Sequence, residues 1–397
     1  MRLLIPGRPH LTYCTNVHPA EGSDELLAVL EGPVTAVARD VANGAPFGIG
    51  LRVGARAAHE LRAASAREEL TDVLRRMNAY VFTLNGFPYG PFHGHPVKER
   101  VYRPDWREHA RLEYTRDLAD LLAAVLPEDV AGSISTVPGG FGGRATTDAD
   151  RSAIAARLLA AAADLVDVER CTGRAITLAL EPEPGCVLET AFDAAAFFRE
   201  HLFAERARAR FASMVRTDAR TAEALLRRHL GVCLDACHLA VAFEEPGDAL
   251  AALAGDGVRL AKLQVSAAIQ VEGADAARAA LPPLDDGVYL HQTNVAQPNG
   301  TVRRFLDLPE ALGEAPEGLW RVHAHVPVDR DPPAPLATTK PSLTRLLRQV
   351  TACEATSHIE VETYTWSVLP RSLRGDGLVE DVARELRWTR AVLTEGR

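Results

Sequence analysis

Acidic and imidazole side chains occur in this sequence as closely spaced pairs, each beside a short apolar run. Two carboxylates or two imidazoles that are two residues apart share one face of an extended segment. Carboxylates that come close together repel one another unless positive charge lies between them. A divalent cation with oxygen and imidazole ligands supplies that charge. The pairs are Glu181 with Glu183, Asp235 with His238, His323 with His325, and Glu360 with Glu362.

Each pair also has a plain structural interpretation. The first glutamate pair, with a proline after each acid, is compatible with a solvated loop, although an acid directly after an apolar strand is costly unless it is paired or ligating. The aspartate and histidine are compatible with a helix cap beside a packed imidazole. The two later histidines are compatible with a structural pair, and one of the last two glutamates with a group that orients its neighbour.

The elements that would position these pairs alternate between apolar strands and helices rich in Ala, Leu and Arg. Strands are predicted at residues 11–18, 47–53, 79–86, 130–137, 175–180, 231–235, 258–266 and 358–364. Helices are predicted at 23–41, 55–77, 106–126 and 148–168, with a long helical region up to residue 230. Apolar strands that alternate with helices favour a parallel sheet covered on both faces, and repeated right-handed crossovers close such a sheet. The prediction is the α/β class, as a single (β/α)₈ TIM barrel over residues 1–397.

A doubly wound open sheet is the main rival to the barrel. Its nucleotide-binding form is weakened because no GxGxxG follows the first strand and no P-loop is present. In a barrel, the carboxyl ends of all strands meet on one face. The four pairs would therefore converge there with His18 from strand one, Asn85 from strand three and Gln264 from strand seven.

The strand count leaves two runs unplaced, a strand-like one at residues 321–328 and a weaker one at 287–292. Both fall between strands seven and eight, which predicts a large insertion over residues 267–341. Its Pro-rich end, residues 329–341, leads to a helix around 343–350. The length of the insertion suggests a cover over the active site or a contact with a partner, such as a neighbouring subunit of a homo-oligomer.

Composition narrows the function classes. The net charge of −9 argues against nucleic acid as the main partner, because phosphate binding needs a positive face. No apolar stretch approaches the roughly 20 residues that span a bilayer, and no signal peptide is evident, so we expect no membrane insertion and a cytoplasmic location. The six cysteines include no CxxC pair, which makes a disulfide framework or a zinc-thiolate site an unfavourable interpretation.

Several strand-end segments together resemble the xylose-isomerase-like TIM barrels, which include sugar isomerases, sugar epimerases and DNA-repair nucleases of the endonuclease IV type. The segments are Glu181 after strand five, Leu234-Asp235-Ala-Cys-His238, Lys262-Leu-Gln264 and Glu360-Val-Glu362-Thr-Tyr. Members of that group commonly hold a divalent metal with a glutamate on strand five, an aspartate on strand six, a histidine on strand seven and a glutamate on strand eight. The resemblance therefore implies Glu181, Asp235 and Glu362 as metal ligands.

The sequence departs from that pattern at strand seven, where Gln264 stands in place of the usual histidine. A glutamine ligates through its carbonyl oxygen, which would favour Mg²⁺ or Mn²⁺. Alternatively, His323 or His325 supplies the missing imidazole. The identity of the ion, Mn²⁺, Zn²⁺ or Mg²⁺, is left open by these alternatives.

A narrower resemblance covers nearly the whole chain and points to the EboE family, sugar-isomerase-like proteins of bacterial ebo gene clusters with a role in metabolite traffic. The motifs are Leu11-Thr-Tyr-Cys-Thr-Asn-Val-His18-Pro, Asn85-Gly-Phe-Pro-Tyr-Gly with Phe92-His93, Val97-Lys98-Glu99, Val101-Tyr102 with Pro104-Asp105-Trp106, Leu180-Glu181-Pro-Glu-Pro-Gly185-Cys186, and Val322-His323-Ala-His325-Val-Pro327. The resemblance implies an association with the traffic of secondary-metabolite precursors.

The leading functional hypothesis is a metal-dependent isomerase or epimerase that acts on a polyhydroxylated small molecule. Proton transfer would fall to Glu183, Glu360 or a histidine such as His238, and Lys262 would neutralise a carboxylate or enolate. The residues expected to hydrogen-bond substrate hydroxyls are His18, Asn85 and His93. A non-catalytic metabolite carrier and a metal-dependent hydrolase of the endonuclease IV type are the alternatives.

Overall fold

Eight parallel strands surround the centre of the molecule in a computed structural model of the chain, which describes residues 1–143, 146–375 and 377–395. The barrel strands are β1 (His10–Tyr13), β2 (Phe47–Arg52), β3 (Ala79–Asn85), β4 (Gly132–Thr136), β5 (Ile176–Leu180), β6 (Leu230–Asp235), β7 (Arg259–Val265) and β13 (His358–Val361). Between β7 and β13 the chain forms β8 (Ile269–Glu272), β9 (Thr293–Ala296), β10 (Val302–Phe305), β11 (Leu319–Val322) and β12 (Ala337–Thr338), which belong to a second sheet. The parallel sheet has the order β1-β13-β7-β6-β5-β4-β3-β2, and a parallel bridge between Cys14 and Gly50 brings its two ends together. The predicted α/β barrel is therefore confirmed.

Helices cover the outside of the barrel, because each has an apolar face to bury against the strands. They are α1 (Ser23–Val29), α2 (Thr35–Val41), α3 (Ala55–Glu60), α4 (Ala64–Arg76), α5 (His109–Val125), α6 (Asp148–Thr172), α7 (Ala191–Phe197), α8 (Glu205–Val215), α9 (Ala219–His229), α10 (Ala236–Val241), α11 (Pro246–Gly255), α12 (Ala274–Ala280), α13 (Leu308–Glu314), α14 (Lys340–Ala352) and α15 (Leu378–Thr394). No helix in the described part of the chain is both long enough and apolar enough to cross a membrane.

The longest of these helices, α6, has a start and a stop that the sequence encodes directly. The Thr147 hydroxyl accepts a hydrogen bond from the backbone N–H of Asp150, and the Asp150 carboxylate accepts one from the backbone N–H of Thr147. Such a reciprocal cap satisfies two amides that the first turn leaves unpaired. At the other end, Gly173 adopts a φ of 71° and its N–H bonds to the carbonyl of Glu169, which ends the helix.

Several predicted elements have different boundaries in the structure, and two of these differences are the largest near the start of the chain. The strand predicted at residues 11–18 ends at Tyr13, and a 3-10 turn at Thr15–Val17 follows it. The single helix predicted at residues 55–77 is two helices, α3 and α4, separated where Ala63 is extended and Leu61 is buried. An Ala-rich composition favours helix throughout this stretch, so the packing of Leu61, rather than local propensity, sets the break.

The chain between β7 and β13 forms a second sheet of five antiparallel strands in the order β10-β9-β11-β8-β12. The strand-like run at residues 321–328 is strand only up to Val322. The weaker run at 287–292 is not a strand: Gly287 has a φ of 68°, and the Asp286 carboxylate accepts hydrogen bonds from the backbone N–H groups of Val288 and Tyr289. This turn chemistry explains why β9 begins only at Thr293.

Polar side chains fill much of the barrel interior, where TIM barrels more often have Val, Ile and Leu. The Ser133 hydroxyl on β4 lies 2.8 Å from His358 Nδ1 on β13, and Lys262 Nζ on β7 lies 3.4 Å from the Ser135 hydroxyl on β4. The strands in each of these pairs are not neighbours in the sheet. Their side chains therefore meet inside the barrel, directly beneath the strand ends.

Candidate metal centre at the barrel mouth

Three carboxylates from separate strands converge at the mouth of the barrel. Glu181 follows β5, Asp235 ends β6 and Glu362 follows β13. One oxygen of each lies within 4.8 Å of the other two, and all three side chains are buried. The side-chain amides of Asn16 and Asn85 donate to Glu362 Oε1 at 2.8 and 2.9 Å, so the position of this carboxylate is set by the turn after β1 and by the end of β3.

The charge of this carboxylate cluster, Glu181 with Asp235 and Glu362, is poorly compensated by the protein. Burial and the neighbouring carboxylates raise the pKa of Glu181 and of Glu362 well above the usual value, an effect that the more distant Lys262 opposes. Glu181 Oε2 is buried and has no hydrogen-bond partner among the described residues. An orphaned carboxylate oxygen that faces two further acids fits the ligand set of a divalent cation.

Asp235 is the most tightly held member of the cluster. Its Oδ1 accepts a hydrogen bond from the backbone N–H of His238 at 2.9 Å. The Ser266 hydroxyl, just beyond β7, lies 2.9 Å from each of the two carboxylate oxygens. Hydrogen bonds of this kind fix the orientation of a metal-ligating carboxylate.

His238 and His323 point their Nε2 atoms at each other across 3.1 Å. The Nδ1 of His238 lies 3.0 Å from the carbonyl of Pro182, and the Nδ1 of His323 lies 2.6 Å from the side-chain oxygen of Gln292. Both Nδ1 atoms therefore carry the proton, which leaves the two Nε2 atoms as facing acceptors. Burial, followed by neighbouring histidines, lowers the pKa of both rings well below the usual value. Two facing lone pairs of neutral imidazoles fit a bound cation.

His325 is the third histidine at the site, and His238, His323 and His325 together form its imidazole group. Its Nδ1 lies 2.6 Å from the backbone carbonyl of Glu362, and its buried Nε2 has no hydrogen-bond partner in the described parts of the chain. That Nε2 lies 3.8 Å from Asp235 Oδ1. Ligand atoms of Asp235, His238 and His325 also lie within 4.8 Å of one another, so Asp235 belongs both to this group and to the carboxylate cluster.

Glu183 lies beside the cluster with a different set of contacts. Its Oε1 accepts hydrogen bonds from the Tyr102 hydroxyl at 2.6 Å and from the Gln292 side-chain amide at 2.9 Å. Burial raises the pKa of Glu183 to about 7, although both hydrogen bonds oppose the rise. Neither of these bonds uses Oε2.

The structure does not bring every predicted residue into the pocket wall. Lys262 and Glu360 form a fully buried ion pair of 2.6 Å in the barrel interior. A Cβ on Gly50 would lie 1.8 Å from Glu360 Oε1, so the glycine of β2 makes room for this pair. Gln264 pairs in register with Glu360, and its side-chain oxygen accepts a hydrogen bond from Cys233 Sγ at 3.2 Å.

The two histidines predicted to bind substrate are bonded within the protein. His18 Nε2 lies 2.9 Å from the Tyr13 hydroxyl, and His93 Nε2 lies 2.6 Å from the carbonyl of Asn16. Neither residue lines the pocket, whereas Asn85 does. For His18 and His93, the substrate-binding role stays a prediction without a contact to support it.

Four positioning residues were missed from the sequence: Asn16, Tyr102, Ser266 and Gln292. A signal existed for Ser266, because it follows Gln264 at the two-residue spacing of one strand face. The others lie on loops or turns, where spacing does not predict which side chains meet.

The pocket above the cluster is small and has two unlike walls. Its free volume is about 60 Å³, room for ions, a few water molecules or part of a small substrate. One wall consists of the acids and histidines. The other contains Phe92, Tyr289 and Tyr364, whose ring centroids lie 5.0 to 5.3 Å apart.

No protein-family model and no curated protein matches the chain. Among solved structures, it is similar to an L-ribulose 3-epimerase, with a TM-score of 0.46 and 13% identity over 97% of this chain and 94% of that one. It is similar to the IOLI protein with a bound zinc atom, with a TM-score of 0.47 and 11% identity over 97% and 98%. It is also similar to the 3-keto-D-glucoside 4-epimerase YcjR from E. coli, with a TM-score of 0.45 and 13% identity over 96% and 99%. Likenesses this distant carry no argument about activity, and the barrel assignment rests on the strand order itself.

Proposed function

We propose that the chain binds a divalent metal ion at its barrel mouth and acts on a polyhydroxylated small molecule as a sugar isomerase or epimerase. The carboxylate cluster is the observation that carries this proposal. Three buried acids within 4.8 Å of one another are costly to a fold unless a cation offsets their charge. A site that only packed the barrel together would not need them.

The surrounding residues have distinct tasks in this proposal. Glu181, Asp235 and Glu362 hold the ion, which would act as a Lewis acid on a substrate oxygen. Asn16 and Asn85 keep the Glu362 carboxylate in place.

Proton transfer is assigned to Glu183, because it lines the same pocket and its two hydrogen bonds leave Oε2 for a substrate proton. The aromatic wall of Phe92, Tyr289 and Tyr364 would exclude water and pack against the C–H groups of the substrate.

The finer predictions from the sequence belong to the same proposal. Membership of the EboE family, with metabolite traffic as its context, is supported by the motifs alone. A cytoplasmic location and a homo-oligomeric state likewise remain predictions from the sequence.

Metal content tests the first half of the proposal. Protein purified without a His-tag or added metal is expected to carry about one or two equivalents of a divalent ion, measured by mass spectrometry of the elements. The variant Asp235→Asn is expected to lose it. Glu385→Gln is the matched control, because it neutralises a buried carboxylate that is not a member of the cluster. A metal-free wild type that also shows no thermal shift with Mn²⁺, Zn²⁺ or Mg²⁺ contradicts the proposal.

Isotope exchange tests the second half even while the product is unidentified. The metal-loaded protein in D₂O is expected to introduce deuterium at the carbon next to the carbonyl of one or more sugars in a panel of aldoses and ketoses, as detected by NMR. Glu183→Gln is expected to reduce the exchange rate about 10²-fold or more while it retains metal. Tight binding without exchange would instead support a carrier.

A hydrolase is the second candidate, and the imidazole group favours it. His238 and His323 face each other through their Nε2 atoms, and His238 and His325 share Asp235 with the carboxylate cluster, which is enough for a second ion. Two adjacent ions are typical of phosphoester hydrolysis. Release of p-nitrophenol from bis(p-nitrophenyl) phosphate, lost in His323→Ala but not in Glu183→Gln, would move this candidate ahead of the isomerase.

A further inference from the structure

Lys98 is the one cationic side chain among the described residues that line the pocket. The other ionisable groups of the lining include Glu181, Glu183, Glu362 and the histidines at positions 238, 323 and 325. Lys98 begins the 3-10 turn Lys98–Tyr102, and Tyr102 at the end of this turn donates its hydroxyl to Glu183. The turn that places the proposed proton-transfer residue therefore also places a positive charge at the pocket.

The backbone of Lys98 is held in a conformation that a side-chain-bearing residue rarely adopts. Its φ is 41°, in the left-handed region. Two hydrogen bonds to the carbonyl of Val288, from the N–H of Val97 at 2.7 Å and from the N–H of Lys98 at 3.1 Å, stabilise it. Strain of this kind persists only where the surroundings impose it, and it concentrates at ligand sites.

The present partner of the Lys98 ammonium is replaceable. Its Nζ lies 2.6 Å from Asp307 Oδ2 and 4.0 Å from Asp285 Oδ1, and the lysine side chain is 31% exposed. The other oxygen of Asp307 already accepts hydrogen bonds from the backbone N–H groups of His291 and Leu308, both at 3.0 Å. The ion pair with Asp307 is partly exposed, with side-chain exposures of 31% and 24%, so a ligand anion can replace this partner at a modest cost.

We propose that Lys98 binds a carboxylate of the substrate, so that the pocket is specific for polyhydroxylated carboxylic acids. This inference rests on the proposed metal-dependent function and names its substrate class. A hydroxyl group next to the metal ligands and a carboxylate at Lys98 would orient the molecule at both ends. The contact is a charge-assisted hydrogen bond, the stronger kind, at the only point of the pocket wall where the described residues offer a cationic donor.

A carboxylate fits this position better than a phosphate. Phosphate sites usually combine several donors, such as an arginine fork or the amides of a helix N-terminus. The described lining provides a single ammonium group and a free volume of about 60 Å³. One positive charge matches one carboxylate.

Gluconate and glucitol provide the test, because they share a hydroxylated carbon chain and differ at the terminal group. Binding of each is measured by calorimetry on the manganese-loaded protein, with free Mn²⁺ held constant because gluconate chelates it. The wild type is expected to bind gluconate about tenfold more tightly than glucitol, the size of one charge-assisted contact. Lys98→Met is expected to bind both with the affinity of glucitol, with unchanged metal content. Gluconate 6-phosphate, as the phosphate arm, is expected to gain nothing over gluconate.

Asp307→Asn separates ligand binding from a structural role of the same lysine. Asparagine still caps α13 but releases the ammonium group, so affinity for gluconate is expected to rise. If Lys98 only links the turn to the insertion through its ion pair with Asp307, then Asp307→Asn and Lys98→Met will weaken gluconate binding alike. That result overturns the proposal. Equal wild-type affinity for the two ligands, or no gluconate binding to metal-loaded protein, overturns it as well. A wild type without metal would instead refute the proposed function on which this inference rests.

Discussion

Buried carboxylates occur in two adjacent layers of this barrel, and the protein treats them differently. In the interior, Glu360 has Lys262 at 2.6 Å, and both are fully buried. At the mouth, Glu181, Asp235 and Glu362 face one another, and the described residues supply no cation within this cluster. The chain thus supplies the counter-charge where the pair is a permanent part of the core. It leaves the counter-charge out where, we infer, an ion from solution takes that place.

The largest effect is expected from breaking the interior pair. Lys262→Met leaves Glu360 buried and unpaired, which should lower the free energy of unfolding by about 3–5 kcal/mol. The double variant Lys262→Met/Glu360→Gln should recover much of this loss, because no uncompensated charge remains. Urea unfolding of the three proteins measures it. A loss below about 1 kcal/mol in the single variant would show that the pair does not neutralise a buried charge.

A third kind of buried carboxylate extends the comparison. Glu385 on α15 relies on hydrogen bonds: its Oε1 accepts them from the Thr363 hydroxyl at 2.7 Å and from the Val328 amide at 3.1 Å. Burial raises its pKa to about 8. Because the folded-state pKa lies above the unfolded-state pKa, the folded protein holds the proton more tightly.

Stability should therefore fall as the pH rises from the unfolded pKa of about 4.3 to about 8, by on the order of 1 kcal/mol per pH unit. Melting temperatures of wild type and Glu385→Gln across pH 5–9, both in the presence of a chelator, measure the effect. The variant should lose this component of the slope. If melting temperature changes with pH in the same way for both proteins, the assignment of this slope to Glu385 is contradicted.

Side chains that hold the metal ligands in place at the mouth can be substituted without removing a ligand. Ser266→Ala removes the hydroxyl that lies 2.9 Å from both oxygens of Asp235. Metal affinity is expected to fall about tenfold, which corresponds to about 1.4 kcal/mol of metal-dependent stabilisation. Titration with Mn²⁺ measures it. Ser135→Ala, which alters a hydroxyl in the interior layer, serves as the control and should leave the affinity unchanged.

The smallest expected change in stability has opposite signs in the two layers. Without metal and at a pH above the raised pKa of Glu181, Glu181→Gln removes one of three mutually repelling charges and should stabilise the protein by about 1 kcal/mol. Glu360→Gln removes the same charge from the interior layer and should destabilise it, because Lys262 is left without its partner. Unfolding in the presence of a chelator compares them. The same sign for both variants would remove the distinction between the two layers.

The alternation of strands and helices determined the fold class, and the strand ends determined which residues could meet. Glu181, Asp235 and Glu362 converge because the carboxyl ends of parallel strands share one face of a barrel, whatever the loops do. Two-residue spacing likewise predicted that His323 and His325 would lie together, and their ring centroids are 5.2 Å apart. They lie beyond the end of β11 at Val322, however, so strand periodicity alone does not account for this contact.

The tertiary structure alone decided which predicted residues act at the mouth and which lie in the core. Glu360 and Glu362 are equivalent by their two-residue spacing, yet one pairs with Lys262 and the other joins the acid cluster. Glu360 lies on β13 and Glu362 follows the end of that strand, and the point where the strand ends depends on packing in the whole barrel. Gln292, Tyr102 and Lys98 reach the site from an insertion and a turn. The paths of those segments follow from packing between distant parts of the chain, which local spacing does not encode.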